Sequence, residues 1–295
     1  MINGEQSNDP VAIKDAIVAF YQNLYKEDEC WRRNLNILDV QGITLEEQEW
    51  LERAFEEEEV LEGIKMCAAG KAPGTEGYTM AFFQAFWDTI KGDLMQTFHR
   101  FHSMQKFEKS FNVTFVALIP KKVGVNDLRD FRPICLVLEV YKIRAKQLSE
   151  RLKKVMSRLI NNHQMAFVKG RQIMDAALIA SELIDTRIRD DVPGVMCKLD
   201  IEKAYGYLNW NYLINTLRQM GFGVRWLKWI EFCIKTTMFS ILINGKPAGN
   251  GISVLKRQAS STKKALVDFW QLAFSYQVNP LAAVQPLPPA TRGSR

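Results

Sequence analysis

The sequence is poor in the residues that hold small extracellular or metal-centred folds together. Its five cysteines (Cys30, Cys67, Cys135, Cys197 and Cys233) are scattered, odd in number and never in a Cys-x-x-Cys pair. That pattern argues against a disulfide framework and against a zinc site. Only three histidines occur, and the neighbouring pair His99 and His102 has no third ligand beside it, so it reads as surface or core rather than as a metal site. No apolar run approaches the roughly 20 residues a membrane span needs. The N-terminus, Met-Ile-Asn-Gly-Glu-Gln, lacks a signal-peptide pattern. The expectation is an intracellular protein, nuclear or cytoplasmic, with no membrane partner. Acidic residues all but vanish toward the end, where Asp268 is the only one beyond Glu231. No internal repeat is present.

What is present is an ordinary hydrophobic fraction, 47% over 295 residues, enough for one large domain or two ordinary ones. The net charge of +6 is unevenly spread: residues 1–62 hold 5 basic and 16 acidic residues, and residues 63–295 hold 34 basic and 17 acidic. The basic excess over the larger part suits a polyanion, because Lys and Arg contacts to phosphates release counterions. A solvated basic surface is the simpler alternative.

Apolar periodicity predicts a helix over residues 11–26. A second helix starts near Thr44, where Thr44 and Glu47 have capping-box spacing, and Trp50, Leu51, Phe55, Val60, Leu61 and Ile64 supply its buried stripe. Glu56–Glu59 read as a solvated helix face, since consecutive residues point in different directions. A loop at Gly70–Gly77 precedes a helix over residues 81–104, rich in Phe and Trp. A strand is predicted over Asn112–Ile119, stopped by Pro120. Residues 137–160 read as a long basic helix whose Lys142, Arg144, Lys146, Arg151, Lys153 and Lys154 either track a nucleic-acid backbone or form a wet face. Another helix spans 172–190. Val195–Leu199 reads as a short apolar strand leading to Asp200. Helices follow over 209–220 and 225–236, parted by Gly221-Phe-Gly223, and Phe239–Pro247 reads as strand with an Asn244-Gly245 turn signal. After residue 258 the character changes. Four of the ten prolines fall in the last sixteen residues, and a poorly ordered tail is expected there.

Five segments carry a family signature by their order and spacing. They are Lys71-Ala-Pro-Gly-Thr-Glu-Gly-Tyr78; Ala117-Leu-Ile-Pro-Lys-Lys122; Asp130-Phe-Arg-Pro-Ile134 with Tyr141-Lys142-Ile143; Gln164-Met-Ala-Phe-Val-Lys-Gly-Arg-Gln-Ile173; and Lys198-Leu-Asp-Ile-Glu-Lys-Ala-Tyr205 with Asn209-Trp210. Each is weak alone, and five in order are specific. Over roughly residues 10–257 the chain resembles the reverse transcriptase of non-LTR retrotransposons of the long interspersed element class, especially the plant type.

The resemblance implies an α+β fold: the fingers and partial palm of a right-hand polymerase, helix-rich, with an incomplete antiparallel palm sheet. It divides the chain into an acidic helical region (1–69), a fingers-like region with the first palm elements (70–194), a partial palm (195–257) and a divergent tail (258–295). It implies RNA-templated DNA synthesis from deoxynucleoside triphosphates on an RNA template and DNA primer, by in-line displacement at phosphorus assisted by two Mg2+ ions. By resemblance, Asp200 and the carbonyl of Ile201 bind metal, and Tyr205 gates the incoming sugar. Lys121 or Lys122, with Arg132, holds the triphosphate, because a guanidinium offers phosphate a planar fork. Gly74, Gly77, Gly170, Arg171 and Gln172 line the template path. As plain residues, Asp200 is a strand-end cap, Tyr205 a core aromatic, the lysines a solvated strand end and the glycines turn formers.

The departures from the family pattern decide the expected activity. Thr75-Glu76 stands where the family has Pro-Asp, and Gly206 where it has Asp. The family continues past the Asn244-Gly245 strand to an aromatic-x-Asp-Asp hairpin that supplies further metal ligands. Here no Asp-Asp follows Asp200; the one such pair, Asp190-Asp191, precedes it and abuts Pro193-Gly194. One carboxylate cannot hold two metals. The expectation is an inactive polymerase fragment of marginal stability, with the strands at 195–200 and 239–244 lacking neighbours; the alternative is a non-catalytic nucleic-acid-binding module.

Overall fold

The computed structural model describes residues 9–25, 42–106, 109–125, 127–160, 164–165, 168, 170–191, 193–194 and 209–253. The expected strand at 195–199 and the tail beyond 258 lie outside them. The described residues form a helix-rich α+β fold with one small sheet. Among them no helix is long and apolar enough to cross a membrane.

Helix α1 spans Pro10–Tyr25. Pro10 sits at the first helical position, where its missing N–H costs nothing, and the Asp9 carboxylate accepts from the Val11 N–H at 3.0 Å. Helix α2 spans Leu45–Glu52, and its capping box is formed both ways: Glu47 N–H to Thr44 Oγ1 at 3.2 Å, and Thr44 N–H to Glu47 Oε2 at 2.8 Å. The single helix expected from Thr44 through Ile64 is instead two. The backbone is extended at Arg53 and Glu56, and α3 begins at Glu57 and runs to Lys65. The cause is remote in sequence: the carbonyls of Leu51, Arg53 and Ala54 accept from the Arg151 guanidinium rather than from helix amides. The helix expected over 81–104 also divides, into α4 (Met80–Ala85) and α5 (Trp87–Met104). The break at Phe86 leaves that ring exposed while Trp87 turns into the core.

Strand β1 (Val113–Pro120) pairs antiparallel with β2 (Phe131–Val137). Helix α6 (Glu139–Leu159) follows β2 directly, and α7 spans Ile173–Arg189. Helices α8 (Trp210–Gln219) and α9 (Val224–Lys235) form a pair. Strands β3 (Met238–Ile243) and β4 (Lys246–Ser253) close a hairpin at Asn244-Gly245, both at positive φ (50° and 76°), as a tight hairpin turn requires. Strand order is β2-β1-β3-β4, with β1 and β3 parallel. The sheet is therefore mixed, not antiparallel as expected, because β3 returns to β1 after a long helical crossover rather than a turn. The strand at 239–244 is also not without neighbours: β1 and β4 flank it.

Two cores result. The larger packs α2, α3 and α5 with α6, α8 and α9 around Phe55, Phe98, Phe101, Leu152, Trp226 and Trp229. The smaller packs Ile17 and Tyr21 of α1 against Val116, Phe239 and Ile241 on one sheet face.

Helix α6 is the strut of the larger core, and it corrects the expected wet basic face. Arg144 and Arg151 are each only 1% exposed. Arg151 forks onto Glu59 with two contacts of 2.8 Å and lies 4.0 Å from the Phe55 ring. Burial works to raise the Glu59 carboxyl, but the Arg151 hydrogen bonds and charge, with Arg53, hold it below the usual range. Arg144 lies over the rings of Phe98, Phe101 and Phe111, and burial pushes it down to about 10. Lys146 and Lys153 pair with Glu150, and Lys154 sits 4.5 Å from the Trp50 ring. His102 Nε2 lies 3.0 Å from Glu52 O and 2.9 Å from Arg225 Nη1; burial, with the charges of Arg225, Arg151 and His99, lowers its pKa.

Candidate nucleic-acid interface

The β1–β2 hairpin brings Lys121, Lys122 and Arg132 to one end. Register places Ile119 opposite Arg132 and Pro120 opposite Phe131, so the lysines continue directly beyond the Arg132 pair. The turn is tightened by Asp127, whose carboxylate accepts from the Arg129 N–H at 2.8 Å. Both lysines are engaged within it. Lys121 Nζ donates to Arg129 O at 2.7 Å, and Lys122 Nζ lies 3.0 Å from Asp130 Oδ2. Arg132 is exposed and makes no ion pair among the described residues. Strand alternation puts it on the sheet face away from α1, together with Ile119 (50% exposed) and Ile134 (44%). A cation on a partly bare apolar face can meet a phosphate without displacing an acid.

The Gly74–Gly77 loop sits at the other end of β2. The Gly77 N–H donates to Gly74 O at 3.3 Å, and Gly77 has φ 79°, a conformation that favours glycine. A Cβ on Gly74 would lie 2.6 Å from both Leu138 N and Val137 C, so the loop packs backbone-on-backbone against the β2–α6 junction. Glu76 secures it by accepting from the Glu139 N–H, and Lys142 Nζ donates to Ala72 O at 3.3 Å and to Glu139 at 2.6 Å. Burial raises the Glu139 carboxyl; Lys142 opposes this and Glu76 adds to it.

Gly170, Arg171 and Gln172 lie elsewhere. Gly170 has φ 85°. The Arg171 guanidinium donates to Gln164 O, Ser157 O and Ile160 O at 2.8–3.1 Å, which caps the C-terminal end of α6. Gln172 precedes α7. The two loops expected along one template path thus flank opposite ends of α6, about 30 Å of helix. Asp200, Ile201 and Tyr205 lie outside the described residues. Among the described residues no group of three or more His, Cys, Asp or Glu is gathered for a metal ion.

One feature went unread in the sequence. Tyr78, Phe82 and Phe86 lie in file as tilted neighbours, with ring centroids 4.4 Å and 5.0 Å apart. Their spacing of four and four was the available signal.

A sequence model of the family described as reverse transcriptase (RNA-dependent DNA polymerase) matches residues 119–257. A 149 kDa uncharacterized protein of transposon TX1 from Xenopus laevis is 29% identical over 250 residues, 82% of this chain and 19% of that protein. A retrovirus-related Pol polyprotein from the type-1 retrotransposable element R1 of Bradysia coprophila is 23% identical over 159 residues, 53% of this chain and 16% of that one. This chain carries a partial reverse transcriptase domain of the non-LTR retrotransposon type. A separate, shorter similarity is to Protein APEM9 of Arabidopsis thaliana, 65% identical over 40 residues, 14% of this chain and 12% of that protein. The chain spans less than a fifth of each of these relatives. Within the reverse transcriptase domain, Lys121, Lys122, Arg132 and Asp200 all fall in the family match, while the Gly74–Gly77 loop precedes it.

Proposed function

We propose that this chain is a fragment of a retrotransposon RNA-directed DNA polymerase, comprising fingers (70–194) and partial palm (195–257), that has lost nucleotidyl transfer. The inherited partners are an RNA template, a DNA primer and deoxynucleoside triphosphates. The reading rests on one observation: the family match runs through Asp200 to residue 257, and residues 201–295 hold no Asp-Asp pair. The carboxylates beyond Asp200 are Glu202, Glu231 and Asp268, and Glu231 is tied to Lys235. Asp200 with the Ile201 carbonyl does not make the donor set that two Mg2+ ions require, so no transfer step is assigned to this chain. Arg132 is the residue best disposed to meet phosphate, with the Gly74–Gly77 loop beside the template.

Primer extension on an RNA template with Mg2+ or Mn2+ tests the loss, with Asp200→Asn as control. No extension by either protein is the expected result. Extension abolished by Asp200→Asn overturns the reading.

The second reading, a nucleic-acid-binding module without catalysis, is favoured by the basic excess after residue 62 and by exposed Arg132. Affinity for an RNA–DNA duplex should fall steeply with salt, and Arg132→Ala should lower the slope of log K against log salt by about 1. Salt-independent or absent binding sinks it.

A further inference from the structure

We propose that His102 is a proton-operated switch at the junction of α2, α5 and α9, which holds Arg225 when neutral and the Glu52 carbonyl when protonated.

The junction asks one ring nitrogen to meet two incompatible partners. His102 lies in the last turn of α5, Glu52 ends α2, and Arg225 is in the first turn of α9. His102 Nε2 is 3.0 Å from Glu52 O and 2.9 Å from Arg225 Nη1. A carbonyl oxygen only accepts, and a guanidinium N–H only donates. Nε2 either carries a proton or offers a lone pair, so it serves one of the two at a time. Arg225 Nη1 is itself 3.4 Å from Glu52 O. The triangle therefore has two complete arrangements. With neutral His102 protonated at Nδ1, Arg225 donates to Nε2 and reaches Glu52 O. With His102 charged, Nε2–H takes Glu52 O, and the guanidinium faces a second cation.

The surroundings favour the first arrangement and load the second. Burial, then the charges of Arg225 on α9, Arg151 on α6 and His99 on α5 itself, lower the pKa of His102, and the Glu52 carbonyl opposes them. The Glu52 carboxylate is committed elsewhere, since its Oε1 accepts from the Trp226 N–H at 2.7 Å. Among the described residues the acceptors of Arg225 are His102 and Glu52 O, and protonation of His102 removes both. The first turn of a helix disfavours a cation, so nothing then holds Arg225 in place. The imidazole packs near the Trp229 ring, 5.8 Å away and fully buried, whereas Arg225 is only half-buried. The partner that moves is therefore Arg225.

The test is nitrogen-15 NMR of the full chain, labelled at histidine and arginine, as pH is lowered. The chain has three histidines, His99, His102 and His163, and His102→Asn identifies the signals of the second. Arg225→Lys identifies the Arg225 signal. At high pH the parent should show His102 with a bare Nε2 and a protonated Nδ1. As pH falls through the His102 midpoint, expected below about 6.5, Nε2 should gain its proton and Arg225 Nε should shift with the same midpoint. In His102→Asn the Arg225 signal should stay still over that range. Arg225→Met should raise the midpoint and, at high pH, place the proton on Nε2 for Glu52 O. Arg225→Lys, which keeps a charged donor, should keep Nε2 bare. A proton on Nε2 of the neutral parent overturns the switch, and so does an Arg225 signal that stays still while His102 titrates. The same tautomer in Arg225→Met as in the parent also overturns it. Circular dichroism confirms folding, and the parent spectra alone suffice to refute the switch where a variant does not fold.

Discussion

Helices α6 and α7 are successive and similar in length, yet they sit in opposite environments. Helix α6 has seven Lys and Arg residues among 21, and thirteen of its residues are buried. Helix α7 has 17 residues, and none is buried. Its Ile173, Met174, Leu178, Ile179, Leu183, Ile184 and Ile188 are all exposed. Composition alone would assign these environments the other way round. What buries the cations of α6 is supplied from far along the chain: Glu59, the carbonyls at 51–54 and the rings of Phe55 and Phe98. The Arg151 charge is tolerated because its guanidinium is met by Glu59 and three carbonyls, and the Arg144 charge lies against aromatic rings; neither condition can be seen within the helix that carries them.

The contrast is broken most severely at Arg151. Arg151→Met should cost about 3–5 kcal/mol, because it leaves the Glu59 carboxylate with Arg53 alone and three carbonyls without their donor; urea denaturation reads it, and a midpoint equal to that of the parent would show that Arg151 is not structural. Acid should loosen the same region next. His102 is held below its usual pKa, so its stabilising contribution is present above about pH 6.5 and is lost as pH falls through the lowered value. Glu59 is likewise lowered, and its contribution is present above about pH 4.3 and lost below. Unfolding free energy against pH should therefore fall in two stages, and His102→Asn should remove the upper one. Retention of that stage in the variant would assign it to another group. Thr44→Ala should cost about 1 kcal/mol through loss of the α2 cap, measured in the same way. The smallest effect is expected in α7, where Leu178→Ser should change stability by no more than about 0.5 kcal/mol. A loss of several kcal/mol there would mean that α7 is covered in solution.

Sequence reasoning succeeded where the determinants are local. The Thr44 capping box, the stop near Pro120, the helix after Leu138 and the Asn244-Gly245 turn each depend on a few adjacent residues. The grouping of Lys121, Lys122 and Arg132 came from the family resemblance, and the strand β2 that brings Arg132 beside the two lysines was not read from the sequence. The breaks at Arg53–Glu56 and Phe86 were not legible. The first depends on Arg151, which lies about a hundred residues away, and the second on which of two adjacent aromatics enters the core. The role of Arg171 was hidden too, because the carbonyls it caps belong to the end of another helix. The mixed sheet was missed because parallel pairing of β1 with β3 has no local signal.

That parallel pairing also fixes a schedule. Roughly 120 residues separate the end of β1 from the start of β3, so at a ribosomal rate of about 5–20 residues per second the β1–β2 hairpin waits some 6–25 s for its third strand. During that interval the β1 edge that will receive β3 has open hydrogen-bonding groups, on a nascent chain that already carries Ile119 and Ile134. Until β3 is made, that edge is open to any strand that reaches it first, the exposure that invites association between chains.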